Sequence, residues 1–252
     1  MNNKKLYALD LDGTLWVGDE ILPDALELVE YLQEKYQVVF FSNTSSKTSL
    51  QVFDKLNSMG FDATLDTVYT SSTSTVDYLL DYEFKDVYVI GSQYFKKAIN
   101  SAGIHIESCE DTKNLVVGMT TDFDYSDIEM ALRVLSKGGF FIACNEDENF
   151  PVEDGMLAPG CGALVGAVVG ATGRKPDFVV GKPNTYMLEQ IAKKFNVTKK
   201  EIVVIGDSYK SDIAMANKFG CDSFLIGKFT DDLTIPVFAS PEDILNYLQE
   251  NE

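Results

Sequence analysis

Leu6-Tyr-Ala-Leu-Asp10-Leu-Asp12-Gly13-Thr14-Leu15 is the stretch of sequence that decides the fold. It begins as a short apolar run of the kind that forms a buried strand, and it turns polar at Asp10. Residues i and i+2 of a strand face the same side, so Asp10 and Asp12 are expected to converge where Gly13 lets the chain turn away. Two converging carboxylates repel unless a cation offsets their charge, and carboxylate oxygens suit magnesium. The stretch therefore predicts a strand that ends in an acidic, cation-binding site.

A short apolar run followed by a helical run recurs along the rest of the chain. Gln37–Ser42 is a continuous apolar run, as expected of a strand that is buried on both faces. The spacing of apolar residues also predicts strands at 67–70, 86–91, 114–119, 140–145, 178–181, 201–206 and 222–227, and helices at 24–35, 46–59, 93–102, 125–137, 187–195, 211–219 and 241–248. Because strands that alternate with helices are typical of parallel sheets, the sequence predicts an α/β fold.

Four of the predicted strands end in a cluster of polar residues, and in parallel α/β sheets sites form at these carboxyl ends. The clusters lie at 10–15, 41–44, 180–183 and 206–212. A single aspartate in such a place more often caps the following helix, and a single lysine such as Lys182 is more often a solvated surface residue. Three aspartates after strands, Asp10, Asp12 and Asp207, instead indicate one shared site.

The composition disfavours several classes of protein. The formal charge of -18 and the pI of about 4.4 describe a surface that would repel a nucleic-acid backbone. No apolar run approaches the roughly 20 residues that span a bilayer. We therefore expect a soluble, cytoplasmic protein that binds neither nucleic acid nor membrane.

The cysteines and the single histidine narrow the chemistry further. Cys109, Cys144, Cys161 and Cys221 include no C-x-x-C pair, which disfavours a zinc site and indicates reduced thiols. His105 lies in a predicted short strand, so catalysis by a Ser–His or Cys–His pair is disfavoured.

The four polar clusters resemble, in their order along the chain, the four signatures of the haloacid dehalogenase (HAD) superfamily of phosphohydrolases. The cluster 10–15 is similar to the first signature, Ser42 to the second, Lys182 to the third, and the acidic pair Asp207 and Asp212 to the fourth. A lone D-x-D is a weak signal, but four signatures in order are specific. The segments 41–45, 143–145, 159–164, 173–176 and 180–183 also resemble the NagD-type, or 4-nitrophenylphosphatase-like, branch of that superfamily.

This resemblance implies a Rossmann-like doubly wound parallel sheet that carries an inserted, smaller α/β cap of the C2 type. The catalytic core would comprise residues 1–82 and 179–252, and the cap would comprise 83–178 and read the leaving group of the substrate. Members of the family often pair through their caps, so a homodimer is one expectation.

The resemblance also implies roles for the residues of the core. Asp10 would attack phosphorus and form an aspartyl-phosphate, and Asp12 would protonate the departing alkoxide and then activate water. Mg²⁺ would be held by Asp10, the backbone carbonyl of Asp12, and Asp207. Asp212 would orient a metal-bound water or Lys182, and Lys182 would balance the charge of nucleophile and phosphate.

Further residues are expected to contact the substrate. The resemblance implies that Ser42 Oγ and the backbone N–H of Asn43 bind phosphoryl oxygens. Thr44, and Asn145 and Asp147 of the cap, are further candidates for contacts with the substrate. A solvated acidic loop is the alternative interpretation of the segment that contains Asn145 and Asp147.

The expected function is that of a Mg²⁺-dependent phosphatase acting on a small phosphomonoester. Nucleoside monophosphates, sugar phosphates, phosphoglycolate and pyridoxal phosphate all remain open as substrates, with 4-nitrophenyl phosphate as the substrate in vitro. A phosphomutase or other phosphotransferase of the superfamily is disfavoured because only about 30 residues separate Asp12 from Ser42, too few for the helical cap of those enzymes. A non-catalytic phospho-acceptor module is disfavoured because it would gain nothing from Asp12.

Overall fold

The computed structural model of the protein describes residues 3–151, 156–227 and 235–251. Internal contacts divide the chain into two units. The first unit contains the described residues of Met1–Ser42, Val52–Tyr69 and Lys182–Glu252, and the second contains those of Asn43–Gln51 and Thr70–Gly181. The second unit thus includes 83–178 together with residues on both sides of it. That 83–178 acts as a substrate-reading cap stays a prediction.

The first unit is built on a six-stranded sheet. Its elements are β1 (Leu6–Leu9), β2 (Trp16–Val17), β3 (Glu20–Ile21), α1 (Ala25–Lys35), β4 (Gln37–Ser42), most of α2 (Ser49–Ser58), most of β5 (Val68–Thr70), α7 (Tyr186–Phe195), β13 (Ile202–Gly206), α8 (Ala214–Phe219), β14 (Asp222–Ile226), β15 (Val237–Phe238) and α9 (Pro241–Glu250). The strands follow the order β15-β14-β13-β1-β4-β5. Strand β1 lies at the centre and pairs in parallel with β13 and with β4, so residues that follow these three strands leave the sheet at the same edge.

Alternate residues of the central strands enter two different hydrophobic clusters. Tyr7 and Leu9 of β1 lie in a cluster with residues of α1 and α9. Leu6 and Ala8 of the same strand lie in a second cluster with residues of α7 and α8. Since side chains of a strand point alternately to opposite faces, helices cover both faces of the sheet. This arrangement confirms the predicted doubly wound α/β fold, and it explains why the strands read as continuous apolar runs.

The second unit contains a smaller sheet. Its elements are α3 (Ser71–Asp81), β6 (Asp86–Ile90), α4 (Gln93–Ser101), β7 (His105–Ile106), β8 (Leu115–Val117), α5 (Tyr125–Leu135), β9 (Phe141–Ala143), β10 (Asn149–Pro151), β11 (Leu157–Pro159), α6 (Cys161–Thr172) and β12 (Phe178–Val179). Strands β12-β9-β8-β6-β7 pair in parallel throughout. Residues of β8, β9, α5 and α6 share one hydrophobic cluster. The second unit is therefore a separate, smaller α/β body with its own core.

Local signals account for several boundaries of these elements. Gly60 follows α2 with φ of +94°, the left-handed conformation that commonly ends a helix. Ser240 caps α9 by accepting a hydrogen bond from the Asp243 N–H at 3.3 Å, and Pro241 occupies the first turn. His105 lies in the short strand β7, as predicted, and the four cysteines are free thiols.

Two hairpins were not predicted from the sequence. Strands β2 and β3 pair antiparallel, as do β10 and β11, and each has only two or three residues, too few for a periodic pattern to show. In the part of the chain that the structure describes, no helix combines the length and the apolar character needed to cross a membrane.

Candidate active site

Asp10 is the first residue after the central strand of the larger sheet. Its backbone N–H donates to Ile205 O at 2.9 Å, which carries the pairing of β1 with β13 one residue beyond the strand. The side chain is only 5% exposed although it is a carboxylate. Burial of an acidic group at the end of a strand needs compensating partners, and these lie on two distant segments of the first unit.

Lys182 is the main partner of Asp10. It is the first residue of the segment with which the chain returns to the first unit, and it is 4% exposed. Its Nζ donates to Asp10 Oδ1 at 2.5 Å and to Asp212 Oδ1 at 2.6 Å, and it lies 4.7 Å from the ring centroid of Phe41. Burial alone lowers the pKa of Lys182, but the carboxylates of Asp10 and Asp212 outweigh it and raise the pKa. The lysine is therefore a fixed positive charge.

Asp212 is positioned by one π-helical turn, Tyr209–Ile213, which continues into α8. Its Oδ2 accepts a hydrogen bond from the Ser208 N–H at 3.0 Å, and its Oδ1 accepts from Lys182. A β-carbon on Gly206 would overlap the Asp212 carboxyl group, so glycine permits this close approach. The sequence predicted that Asp212 orients a metal-bound water or Lys182. The structure shows an ion pair of Asp212 with Lys182, and the role of Asp212 stays a prediction.

Asp207 completes a group of three carboxylates. Oxygens of Asp10, Asp207 and Asp212 lie within 4.8 Å of one another. Asp207 is the most exposed of the three as a residue, but its carboxyl group lies against the backbone of Gly13. Burial, and secondly the charge of Asp212, raise the pKa of Asp207 to about 6. Burial is also the main cause that raises the pKa of Asp10 well above its usual value, and the charges of Asp212 and Asp207 act in the same direction.

The charges of this group fit a divalent cation. Three carboxylates and one ammonium leave two negative charges uncompensated, and this excess adds to the effect of burial, the main cause that raises the pKa values of Asp10 and Asp207. Carboxylate oxygens are the ligands that Mg²⁺ prefers in proteins. The described residues therefore contain an acidic group that could hold such an ion, but its third carboxylate is that of Asp212 and not that of Asp12, which the sequence had predicted.

Asp12 does not belong to this group of carboxylates. It is exposed, and its Oδ1 accepts a hydrogen bond of 2.8 Å from Trp16 Nε1. The predicted contact of Asp12 with a metal concerned its backbone carbonyl, and it stays a prediction.

The sequence reasoning missed two residues, one within the first signature and one directly after it. Thr14 is fully buried and its Oγ1 contacts Asp10 Oδ2 at 3.4 Å. Trp16 holds Asp12 as described. Both lie four residues after the aspartate that they contact, and a helix-like turn over 11–15 brings such positions together, with Leu15 N–H donating to Leu11 O at 2.8 Å. The sequence contained that spacing, but buried residues such as Thr14 and Trp16 are typical of a hydrophobic core as well as of a site.

The predicted substrate-binding residues lie in different units. Ser42 is the buried last residue of β4 in the first unit, next to the strand that carries Asp10. Asn43 and Thr44 belong to the second unit. Within the second unit, Asn43 Nδ2 donates to both carboxylate oxygens of Asp147 at 3.0 Å, and Asn145 Nδ2 donates to Asn43 O at 2.6 Å. Asn145 is 3% exposed, so it is integral to the packing of this segment and is not part of a solvated loop. Contacts of all five residues with a substrate stay predictions.

Gly13 is the residue of the site whose substitution we expect to be least tolerated for steric reasons. Its φ is +90°, and a β-carbon there would overlap Asp207 Oδ2. We predict that Gly13→Ala lowers the free energy of unfolding by more than the roughly 1–2 kcal/mol of left-handed strain alone. Gly60→Ala is the matched control, because φ is +94° and its nearest neighbour, Leu26 Cδ2, would lie at 3.7 Å. Denaturant unfolding of both variants measures the difference, and equal losses would contradict the predicted clash with Asp207.

Comparisons with known proteins identify the family of the chain. A family model described as haloacid dehalogenase-like hydrolase matches residues 7–105, and one described as HAD-hydrolase-like matches 179–250. The acid sugar phosphatase of Staphylococcus epidermidis is 33% identical over 225 residues, which cover 88% of this chain and 86% of that protein. The 4-nitrophenylphosphatase of Thermotoga maritima superimposes with a TM-score of 0.89 at 32% identity, covering 97% of each chain. NagD of E. coli superimposes with a TM-score of 0.85 at 26% identity, covering 95% of this chain and 98% of that one.

The family matches and the staphylococcal relative extend over most of the chain, and they include the segments that carry Asp10, Lys182, Asp207 and Asp212. The chain therefore belongs to the haloacid dehalogenase superfamily, in its NagD-like branch, and is a phosphoric monoester hydrolase.

Proposed function

We propose that this phosphatase hydrolyses small phosphomonoesters, with sugar phosphates as its substrate class, through an aspartyl-phosphate on Asp10 and with Mg²⁺ as its cofactor. The observation that carries the proposal is the buried contact of Asp10 with Lys182 beside two further carboxylates. A carboxylate that is buried, held in one orientation and paired with a fixed cation has the properties of a nucleophile in phosphoryl transfer.

In the first chemical step, a carboxylate oxygen of Asp10 forms a bond to phosphorus while the bond from phosphorus to the leaving oxygen breaks. The electron pair of the broken bond stays on the leaving oxygen, which takes a proton from the carboxyl group of Asp12. Asp12 is suited to this exchange because it is exposed and lies outside the charge cluster around Lys182. In the second step, Asp12 takes a proton from a water molecule whose oxygen forms a bond to the phosphorus of the aspartyl-phosphate. The bond from phosphorus to the Asp10 oxygen breaks, its electron pair stays on Asp10 and restores the carboxylate, and inorganic phosphate is released.

Lys182 has an electrostatic role in both steps. Its ammonium group offsets part of the charge of Asp10 and of the phosphoryl group, and Asp212 keeps the ammonium group in place. Ser42, at the end of the neighbouring strand β4, is assigned to a phosphoryl oxygen, as the sequence predicted.

The residues assigned to Mg²⁺ are Asp10, Asp207 and the backbone carbonyl of Asp12, and the two excess negative charges of the cluster support that assignment. When bound, Mg²⁺ would offset the negative charge of the phosphoryl group and of the carboxylates that face it.

The proposed substrate class rests on the relatives. The staphylococcal protein is called an acid sugar phosphatase, and its similarity covers 88% of this chain. The 4-nitrophenylphosphatase of T. maritima supports 4-nitrophenyl phosphate as a convenient substrate in vitro. The second unit is assigned to recognition of the leaving group, with Asn145 and Asp147 as the residues to test.

Removal of the metal is expected to abolish hydrolysis of 4-nitrophenyl phosphate and of a panel of sugar phosphates. The uncompensated carboxylates would then repel the phosphate dianion, so we predict a loss of at least about 10²-fold in the presence of EDTA that Mg²⁺ reverses. Colorimetric release of 4-nitrophenolate and of inorganic phosphate measures the loss.

Thermal unfolding gives a second readout that does not depend on turnover. Mg²⁺ should raise the melting temperature of the wild-type protein, and it should do so less in Asp207→Asn, which lacks one of the three carboxylates. Full activity in EDTA together with an unchanged melting temperature in Mg²⁺ would rule out the proposed cofactor.

A further inference from the structure

Asp12 carries the proposed acid–base chemistry, yet little in its own surroundings fixes its side chain. The residue is exposed, and an exposed aspartate normally samples several rotamers. One hydrogen bond restricts the side chain of Asp12: Trp16 Nε1 donates to Asp12 Oδ1 at 2.8 Å. Trp16 is the sole tryptophan of the chain.

The indole of Trp16 is itself held rigidly. Trp16 is 2% exposed, and its ring centroid lies 6.0 Å from that of Phe61. Nζ of Lys55, a residue of α2, lies 4.8 Å from the centroid of the Trp16 ring. Lys55 Nζ also donates to Gly18 O at 2.7 Å, in the turn of the β2–β3 hairpin. An N–H group on a ring that cannot rotate is a donor at a fixed position, so it restricts the carboxyl group that accepts from it.

The hydrogen bond is not needed to close the turn in which Asp12 lies. The backbone already closes that turn, because Gly13 N–H donates to Trp16 O at 2.7 Å and Trp16 N–H donates to Leu11 O at 3.3 Å. The backbones of Asp12 and Trp16 also form an isolated β-bridge. The side-chain bond therefore adds nothing to the path of the chain, and what it does fix is the orientation of the carboxyl group.

We infer that Trp16 is a positioning residue that holds the carboxyl group of Asp12 in the orientation from which it protonates the leaving oxygen. An indole N–H can only donate, so Oδ1 of Asp12 must be the accepting oxygen. The better acceptor of a neutral carboxyl group is its carbonyl oxygen, so the proton to be transferred lies on Oδ2. This inference rests on the proposed role of Asp12 as general acid, and it adds the residue that aims the acid and the atom that carries the proton.

The basicity of the leaving group gives a readout that a structural role of Trp16 would not affect. A 4-nitrophenolate ion is a weak base and leaves with little help from an acid, whereas a phenolate ion is more basic and needs protonation. The two esters, phenyl phosphate and 4-nitrophenyl phosphate, have nearly the same shape. The ratio of their kcat/KM values reports the steps up to release of the leaving group, so slow hydrolysis of the aspartyl-phosphate does not affect it.

In Trp16→Phe, the ratio of kcat/KM for 4-nitrophenyl phosphate to kcat/KM for phenyl phosphate should be about tenfold higher than in the wild type. This factor is a part of the 10²- to 10⁴-fold acceleration that general acid catalysis typically contributes. Phe61→Leu is the control, because it loosens the packing of the same indole and leaves the N–H group in place. We expect its ratio to equal that of the wild type. A wild-type ratio in Trp16→Phe, or an equal rise in Phe61→Leu, would overturn the assignment.

Asp12→Asn separates failure of this inference from failure of the proposed function. If the ratio rises in Asp12→Asn but not in Trp16→Phe, Asp12 is the acid and Trp16 does not position it. If the ratio stays at the wild-type value in Asp12→Asn, the proposed acid role of Asp12 is wrong, and the role of Trp16 is wrong with it.

Fluorescence tests the contact directly if Trp16→Phe does not fold. Since Trp16 is the sole tryptophan, the emission of the protein reports its indole alone. Asp12→Ala removes the acceptor and should change the intensity or the maximum of that emission. An emission spectrum identical to that of the wild type would show that Trp16 and Asp12 do not interact in solution.

Discussion

Replacement of Asp10 by asparagine is expected to abolish turnover, with kcat for 4-nitrophenyl phosphate falling by about 10³-fold or more, as when a covalent nucleophile is removed. The amide has nearly the size of the carboxylate, and its oxygen can still accept the hydrogen bond from Lys182. What it lacks is the negative charge and the nucleophilicity that bond formation to phosphorus requires. Steady-state release of 4-nitrophenolate in saturating Mg²⁺ measures the loss.

The same variant is expected to be at least as stable as the wild type. Burial raises the pKa of Asp10 well above its usual value, which means that the folded protein favours a neutral group at this position. Loss of activity with an unchanged or higher melting temperature would therefore separate the role of Asp10 in chemistry from any role in folding.

Asp222→Asn is the matched control for Asp10→Asn. Asp222 is the first residue of β14 in the same sheet, whereas Asp10 follows the last residue of β1. Asp222 forms an ion pair of 2.5 Å with Lys4, and its side chain is 60% exposed. Its substitution should leave kcat unchanged. Acid-quenched wild-type protein should also gain the mass of one phosphoryl group that Asp10→Asn does not gain. Turnover by Asp10→Asn at more than a tenth of the wild-type rate would contradict the proposed nucleophile.

The fold was largely predictable because its strands are buried on both faces. Gln37–Ser42 and Ile202–Gly206 are continuous apolar runs, and each is flanked by amphipathic helices whose spacing is visible in a single sequence. The site was predictable to the extent that polar residues follow such strands directly, as Asp10 and Asp207 do. Physical rules about strand ends and the family resemblance led to the same residues.

The contacts within the site were not predictable from these patterns. Lys182 is 172 residues from Asp10 along the chain, and their ion pair depends on the tertiary packing of the first unit, which local periodicity does not contain. The hydrogen bond from Trp16 to Asp12 depends on a turn too short to show a period. The acidic segment that contains Asn145 could equally have been solvated throughout, because charge runs usually are. Glu146 and Glu148 are indeed exposed, and the burial of Asn145 is a property of tertiary packing.

Replacement of Lys182 by methionine is expected to lower both stability and activity. The variant leaves Asp10 and Asp212 buried without their shared cation, which costs about 3–5 kcal/mol when one partner of a buried ion pair is removed. Activity should fall by about 10²-fold or more, because the phosphate then faces carboxylates without the ammonium group that offsets their charge. Denaturant unfolding in EDTA gives the stability without a contribution from bound metal.

Two further variants make the interpretation of Lys182→Met specific. Lys194→Met removes a lysine that pairs with Asp66 at 2.9 Å on the surface, where both side chains are well exposed, and it should cost no more than about 1 kcal/mol. In the double variant Lys182→Met/Asp212→Asn, one of the two unpaired carboxylates becomes neutral, so much of the lost stability should return while activity stays low. Recovery of activity in the double variant would mean that Lys182 serves only to neutralise Asp212. A stability of Lys182→Met equal to that of the wild type would mean that the buried ion pairs do not hold the site together, and the orientation of Asp10 would then need another cause.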